Sequence, residues 1–403
     1  EGNMIYNNTE FYLQDNWKVN SRLTLDYGMR FTRQQPQYDT FLQMSNFFPE
    51  DWSKANAPVL YVPGCKNGAA TCNTADAKNP ITGEILVATG AANSGAAIGT
   101  PVPNTGDLLN GIKVAGQGIS KYSYTWPTLV FGPRFGAAYD LTGNQTVVVR
   151  GGFGLFYDRP DGNTVFSIPL NPPAADTVDL RYSQLQTLGK GLVIGGVPGL
   201  TTFQYDAKIP SSVQWNAGVQ MALPWSSSLD ISYVGNHGYN LLGAFQGGQT
   251  VNLNAIDIGT AYLDAYQDKT KGNSSVPWQN DLNDNLLRPF QGLGVINQNT
   301  TDFHDLYHSI QTSFNRRFRN GVQFGLNYTL GLYFQGNTGL QRRLVHDANG
   351  AISISPDQQA YEDLNKNLDL RRHILRANFV WDLPDLKSEN TAARAIGYVI
   401  NDW

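Results

Sequence analysis

Charged side chains are scarce in this sequence, with Asp, Glu, Lys and Arg at 15% of its 403 residues. The formal net charge is only −4, and no run of Lys and Arg stands out. A nucleic-acid partner is excluded on that ground, because binding to phosphates needs a basic patch. Long apolar runs are missing too. A helix that crosses a bilayer needs about 18 consecutive apolar residues, and none is present. The mean hydropathy of −0.33 does not exclude a membrane-spanning strand protein, because such strands are polar at every second residue. Cysteine is nearly absent, and Cys65 and Cys72 lie close together in a Gly-, Ala- and Asn-rich stretch. Two close cysteines in an otherwise cysteine-free chain point to a small loop disulfide and an oxidising compartment. The alternative is a two-ligand metal site. There is no starting Met and no signal peptide. Before Trp403 the alternate positions are Asn401, Val399 and Gly397, a poor closing strand. Both ends are therefore expected to fall within a longer protein.

What the chain does have is aromatics, at 12%, and 41 glycines. That balance leans to an all-β protein. The clearest strand is 22–33. Leu23, Leu25, Tyr27, Met29 and Phe31 point one way, while Arg22, Thr24, Asp26, Gly28, Arg30 and Thr32 point the other. The same split recurs over 211–222 and 322–334, with weaker versions at 7–18, 128–140, 145–158, 228–238, 307–318 and 371–383. Helical spacing would scatter these apolar residues around the axis.

The lengths decide between architectures. Ordinary strands run about 5–6 residues, and these are roughly twice as long. At roughly 3.3 Å per residue and a tilt near about 40°, such strands rise about 25–28 Å, the height of a membrane barrel's apolar band. The connections alternate. Short turns lie near Asn20, Gly143, Trp225 and Asn320, and long loops span 34–127, 159–210, 239–306 and 335–370. Structureless loops of that length are rare inside compact soluble domains. Outer-membrane barrels keep short turns on the periplasmic side and long loops outside. Aromatics gather toward strand ends, as Phe11, Trp17, Tyr139, Tyr157, Tyr233 and Trp381 do, where interfacial belts place rings. The predicted fold is an all-β, antiparallel, up-and-down transmembrane β-barrel fragment with long extracellular loops. Nine strands cannot close an even-numbered barrel, and an open edge in lipid leaves unpaired backbone groups. Further strands are therefore expected outside this sequence.

Several segments resemble the barrel of TonB-dependent receptors, and in particular the Oar-like branch that carries a carboxypeptidase-regulatory-like domain. They begin with Phe11-Tyr12-Leu13-Gln14-Asp15-Asn16-Trp17 and Arg22-Leu23-Thr24-Leu25-Asp26-Tyr27-Gly28. Gly132-Pro133-Arg134-Phe135-Gly136 and Arg150-Gly151-Gly152-Phe153-Gly154 continue the series. Tyr233-Val234-Gly235-Asn236-His237-Gly238, Asp369-Leu370-Arg371-Arg372-His373 and Trp381-Asp382-Leu383-Pro384 complete it. The resemblance implies a barrel of about 22 strands with a plugged lumen. It also implies a cell-surface ligand passed to the periplasm under drive from the TonB complex. The implied partners are outer-membrane lipid, the plug and remaining strands, TonB and an unidentified ligand. The rivals are a surface adhesion or secretion barrel without import and a soluble carbohydrate-active β protein, which predicts a cleft with paired carboxylates.

No catalytic constellation and no cofactor motif appear. Gly151-Gly152-Phe153-Gly154 lacks the Lys and helix of a phosphate loop. His304 and His308 have helical metal-ligand spacing, but a strand there keeps them apart. Asp281, Asn283, Asp284 and Asn285 do not match a calcium loop. The informative charges are Glu10, Arg30, Arg134, Arg150 and Arg376, which fall on polar faces and are expected to face the lumen. A turn centred at Asn20 sets Glu10 opposite Arg30 and predicts a cross-strand ion pair. Of the loop aromatics Tyr61, Tyr122, Tyr124, Trp126, Tyr182, Tyr262, Tyr266 and Trp278, most are expected to pack their own loops.

Overall fold

The computed structural model describes residues 2–87, 93–160, 162–175, 178–181, 186, 192–242, 251–272, 280–319, 321–336, 344–347, 351–364, 366–367, 370–382, 390, 392 and 396. Nine long strands form one antiparallel sheet in chain order. They are β1 (Asn8–Lys18), β2 (Leu23–Gln34), β3 (Val130–Asp140), β4 (Val147–Tyr157) and β5 (Ser211–Leu223). β6 (Ser227–Leu241), β7 (Phe303–Arg319), β8 (Val322–Gly336) and β9 (His373–Trp381) complete the sheet. Among the described residues no ladder joins β1 to β9, so both edges carry unpaired backbone groups.

Local chemistry sets the short turns. The Asn20 side chain accepts from the backbone N–H of Arg22 at 2.8 Å and of Leu23 at 2.9 Å, closing β1 onto β2. Asp140 does the same between β3 and β4, accepting from Thr142 at 3.1 Å, Gly143 at 2.9 Å and Gln145 at 2.8 Å. Between β7 and β8 the backbone of Gly321 takes φ 73°, a conformation that strains any residue with a Cβ.

Register carries one face across the whole sheet. Phe31 stands opposite both Phe11 and Phe131, and Trp215 stands opposite both Phe153 and Gly235. A Cβ on Gly235 would meet the Trp215 ring at 2.2 Å, so only glycine lets the indole lie flat on β6. This shared apolar face is uncovered: Leu13 is 74% exposed, Phe379 76% and Leu326 40%. A soluble two-sheet sandwich would bury such residues between its layers. Among the described residues no second sheet covers that face.

The buried core lies in the connections between long-loop ends. Met44, Tyr124 and Trp126 of the first loop pack against Val165, Ile168 and Phe203 of the second. Phe47 and Leu200 meet Val251, Leu253, Phe290 and Ile296 of the third, with Leu344 and Ile352 of the fourth against them. Short strands knit the loops together, with Leu200–Phe203 running parallel to Ile296–Asn299. The loops are thus not structureless. They form a common assembly seated on the sheet's loop end. β6 and β7 run further into it than alternation suggests, and Phe303 at the start of β7 is only 1% exposed. There the strands leave the two-faced environment, and period-two patterning stops marking their ends.

Candidate functional site

Strand register places the five charged residues on one face, the polar one. Arg30 stands opposite Gly132, Arg134 opposite Gly154, Arg150 opposite Gly218, and Arg376 opposite Asn327. They do not converge on a single point. Glu10, Arg30 and Arg134 line a small cavity of 160 Å³ near the loop end, together with Thr32 and Phe156. Arg134 lies over the Phe156 ring at 4.8 Å. Arg150 lines a larger hollow of 910 Å³ at the short-turn end, beside Lys18, Arg22, Arg317 and Arg319. Asp140 is the one acid among that hollow's lining residues, and its carboxylate is committed to the turn. Arg376 lies apart from both, on the edge strand β9.

Glu10 and Arg30 form an ion pair, but not from directly opposed positions. Glu10 stands opposite Thr32, and Arg30 opposite Tyr12. The turn closes one residue later than its Asn20 suggests, with the Val19 N–H donating to Leu23 O at 3.0 Å. The long guanidinium then spans the diagonal. Both side chains are largely exposed, at 44% and 33%, so the pair adds little stability.

Cys65 and Cys72 are joined in a disulfide with S–S 2.01 Å. His304 and His308 both lie on β7 at strand spacing and do not converge. Among the described residues, no three His, Cys, Asp or Glu gather as a metal site. Asn283 caps the short helix Asp284–Leu287, accepting from Asn285 N–H at 3.0 Å. Tyr61, Tyr124 and Trp126 are buried in their loops. The Trp126 indole donates to Gln34 O at 2.8 Å, and the Tyr124 hydroxyl accepts from Gln37 N–H at 2.9 Å. Burial pushes the Tyr124 phenol well above the usual range for tyrosine. Tyr122 packs edge-on against Tyr38, Tyr266 lines a loop cavity and Tyr262 is 60% exposed. Tyr182 and Trp278 lie outside the described residues.

Three features escaped sequence reasoning. Arg159, just past β4, donates to Gln35 O at 2.8 Å and to the Asn8 side chain, and lies over the Tyr6 ring at 4.1 Å. It ties the second loop to the first and to the top of β1. Burial lowers its pKa, opposed by the nearby Tyr124 and Tyr6. Nothing local separates it from a solvated loop cation. On the apolar face, His308 Nδ1 meets the Tyr233 hydroxyl at 2.6 Å, and His373 Nδ1 meets that of Tyr328 at 2.8 Å. Each pair satisfies a polar ring on an oily surface, and only the register reveals it. The third is a loop cavity of 400 Å³, assembled from segments far apart in the chain.

Comparisons with known proteins follow the same line. The sequence profile of the outer membrane beta barrel domain family matches residues 1–403. No curated protein matches in sequence. Among solved structures, the chain is similar to the siderophore receptor PirA from Pseudomonas aeruginosa (TM-score 0.34, 9% identity, 82% of this chain and 37% of that one). It is also similar to the ferric-catecholate import receptor Fiu from Escherichia coli K12 (TM-score 0.37, 11% identity, 94% of this chain and 32% of that one). A third is the Serratia marcescens hemophore receptor HasR, in complex with its hemophore HasA and heme (TM-score 0.37, 10% identity, 92% of this chain and 39% of that one). The chain spans about a third of the length of these structures. A family match along the full sequence, on long strands with an uncovered apolar face, gives the assignment: the chain belongs to the outer membrane beta barrel domain family, and its place is the outer membrane.

Proposed function

We propose that this chain is part of the membrane barrel of an Oar-like TonB-dependent receptor, which takes a ligand at the cell surface and passes it through a plugged lumen to the periplasm. The observation that carries the reading is the two-sided sheet. Its apolar side is bare while its other side holds Glu10, Arg30, Arg134, Arg150 and Arg376. An Arg placed toward lipid at the bilayer midplane costs about 2–4 kcal/mol, so these side chains belong in a wet or protein-filled lumen. The free edges at β1 and β9 need further strands, because each unpaired backbone group in hydrocarbon costs several kcal/mol. The cationic hollow at the short-turn end suits an acidic surface of a plug. Ligand passage by this route is binding and gated movement, with no bond made or broken.

The test is uptake by cells carrying the full-length protein, measured with TonB intact and with TonB deleted. Accumulation of a surface-bound compound that stops on TonB deletion upholds import. Equal accumulation in both strains refutes it and leaves a surface barrel that binds without pumping.

A further inference from the structure

The loop assembly holds a cavity of 400 Å³. Its walls come from the first, third and fourth loops: Trp52 from one side, Thr260, Tyr266 and the 286–291 segment from another, and His346 from a third. Cavities that bind small molecules run about 300–1,000 Å³ and combine apolar walls with a few polar groups. Leu286, Leu287 and Pro289 supply the apolar wall here.

Asp257, Arg288 and Asp347 in the walls are engaged within the protein, and Lys54, also in the lining, is exposed. His346 Nδ1 lies 2.7 Å from Asp257 Oδ1, and Nε2 of the same imidazole lies 2.8 Å from Leu253 O. The His346 side chain is only 2% exposed, so this contact fixes the Asp257 carboxylate at the wall. Arg288 donates to Asn254 O at 2.8 Å and to Asn285 Oδ1 at 3.3 Å. Asp347 accepts from Ala351 N–H at 2.9 Å. A zwitterionic peptide needs a free carboxylate for its ammonium group, and these contacts tie up Asp257 and Asp347 instead. They do leave spare lone pairs and N–H groups at fixed angles, which suit hydroxyls. The Trp52 ring is half-buried and its buried Nε1 has no hydrogen-bond partner in the structure. The indole is braced edge-on against Phe290, with ring centroids 5.3 Å apart. A rigid aromatic surface with hydroxyl-matching polar groups beside it is the recognition chemistry of a sugar ring.

We propose that this cavity is a binding subsite for a neutral saccharide of one or two rings. The inference rests on the surface-receptor reading above and adds to it the class of ligand first met. It can fail independently of that reading, since binding is measured without uptake.

Isothermal titration of the full-length protein in detergent tests the proposal. The probes are glucose, galactose, mannose, N-acetylglucosamine, maltose and cellobiose, with glycylglycine and inorganic phosphate as controls. At least one sugar is expected to bind and the controls are not. Trp52→Phe keeps the contact with Phe290 and should weaken that sugar's binding by about tenfold, the scale of one aromatic contact. Thr260→Val, which leaves the walls in place, should weaken it by a few-fold, as loss of one hydrogen bond does. Binding of glycylglycine or phosphate in place of sugar overturns the proposal. So does sugar affinity unchanged in both variants, or no sugar bound at all. Absence of sugar binding alongside TonB-dependent accumulation of another compound refutes the subsite and leaves the transport reading standing.

Discussion

The sheet and the loop assembly are built from the same residue types and solve opposite problems. In the loops, apolar side chains bury one another, and Phe203, Phe290 and Ile296 are at most 1% exposed. In the sheet, side chains as large and as oily are left bare, with Leu375 at 65% and Phe379 at 76%. The first region folds as a soluble protein does, by removing apolar surface from water. The second removes nothing within its own chain, because its solvent on that side is hydrocarbon. Polar groups divide in the same way. The buried Asn254 in the loops is satisfied by backbone, its Nδ2 donating to Phe290 O, Leu293 O and Gly294 O at 3.1, 2.9 and 2.8 Å. On the sheet, the polar side chains are sorted to one face by alternation alone.

The sharpest way to break this comparison is a large-to-small change made once in each region. Phe203→Ala opens a void in the loop core and should cost about 3–5 kcal/mol of loop stability, read as protease cleavage of the loops on intact cells. Leu326→Ala on the sheet leaves lipid to fill the gap, and membrane assembly should proceed nearly as before. Equal damage from both would mean that the sheet's apolar face packs on protein. Next in size is a charge placed on each face of β8. Leu326→Arg should cost about 2–4 kcal/mol and block assembly of the full-length protein in the outer membrane. Asn327→Arg, one residue on, should assemble normally, at most slightly weakened by the Arg376 opposite it. Equal behaviour of the two would undo the assignment of faces.

How legible each region is in the sequence follows from the same contrast. The sheet is written in a period-two code, so Leu23 to Phe31 and Val322 to Leu330 declare both their conformation and their two faces. The register is less legible, since it depends on where a turn closes. Reading Asn20 as the turn's centre sets Glu10 opposite Arg30, whereas the backbone closes from Val19 to Leu23 and makes the contact diagonal. The loop assembly is almost opaque. Its core joins Met44 to Phe203 and Phe47 to Phe290, pairs too distant in sequence for any local periodicity to announce. The cavity beside Trp52 shares that opacity, because Asp257 and His346 meet only once two loops have docked. Among loop features only the disulfide is plain, since two cysteines in one chain allow one pairing.

That disulfide gives a smaller test within the loop region. Cys65 and Cys72 are separated by only 7 positions, so the entropy withheld from the unfolded chain is modest, about 2 kcal/mol on the loop-closure estimate. The segment also leans on the third loop, with the Cys72 N–H donating to Thr270 O at 2.8 Å. Replacing both cysteines with Ser should speed cleavage of the 62–78 segment on intact cells and leave the barrel's heat resistance in detergent unchanged. A loss of barrel stability would mean that the two regions are energetically coupled.

The smallest effect expected is one of pH, and it separates the regions most cleanly. Tyr124 is buried in the loop core and burial raises its pKa above the ordinary 10.0. A phenol whose folded-state pKa is raised contributes stability that is fully present below the unfolded value and is lost as pH rises through the folded one. Loop stability should therefore be flat through neutral pH and fall above about pH 10, the ordinary range for tyrosine. Tyr124→Phe should remove that alkaline component. It should also cost about 1 kcal/mol at neutral pH, since the Gln37 N–H then loses its acceptor. Protease cleavage of the loops across a pH series, wild type against variant, reads both effects. Parallel alkaline curves for the two proteins would show that another group governs the loss.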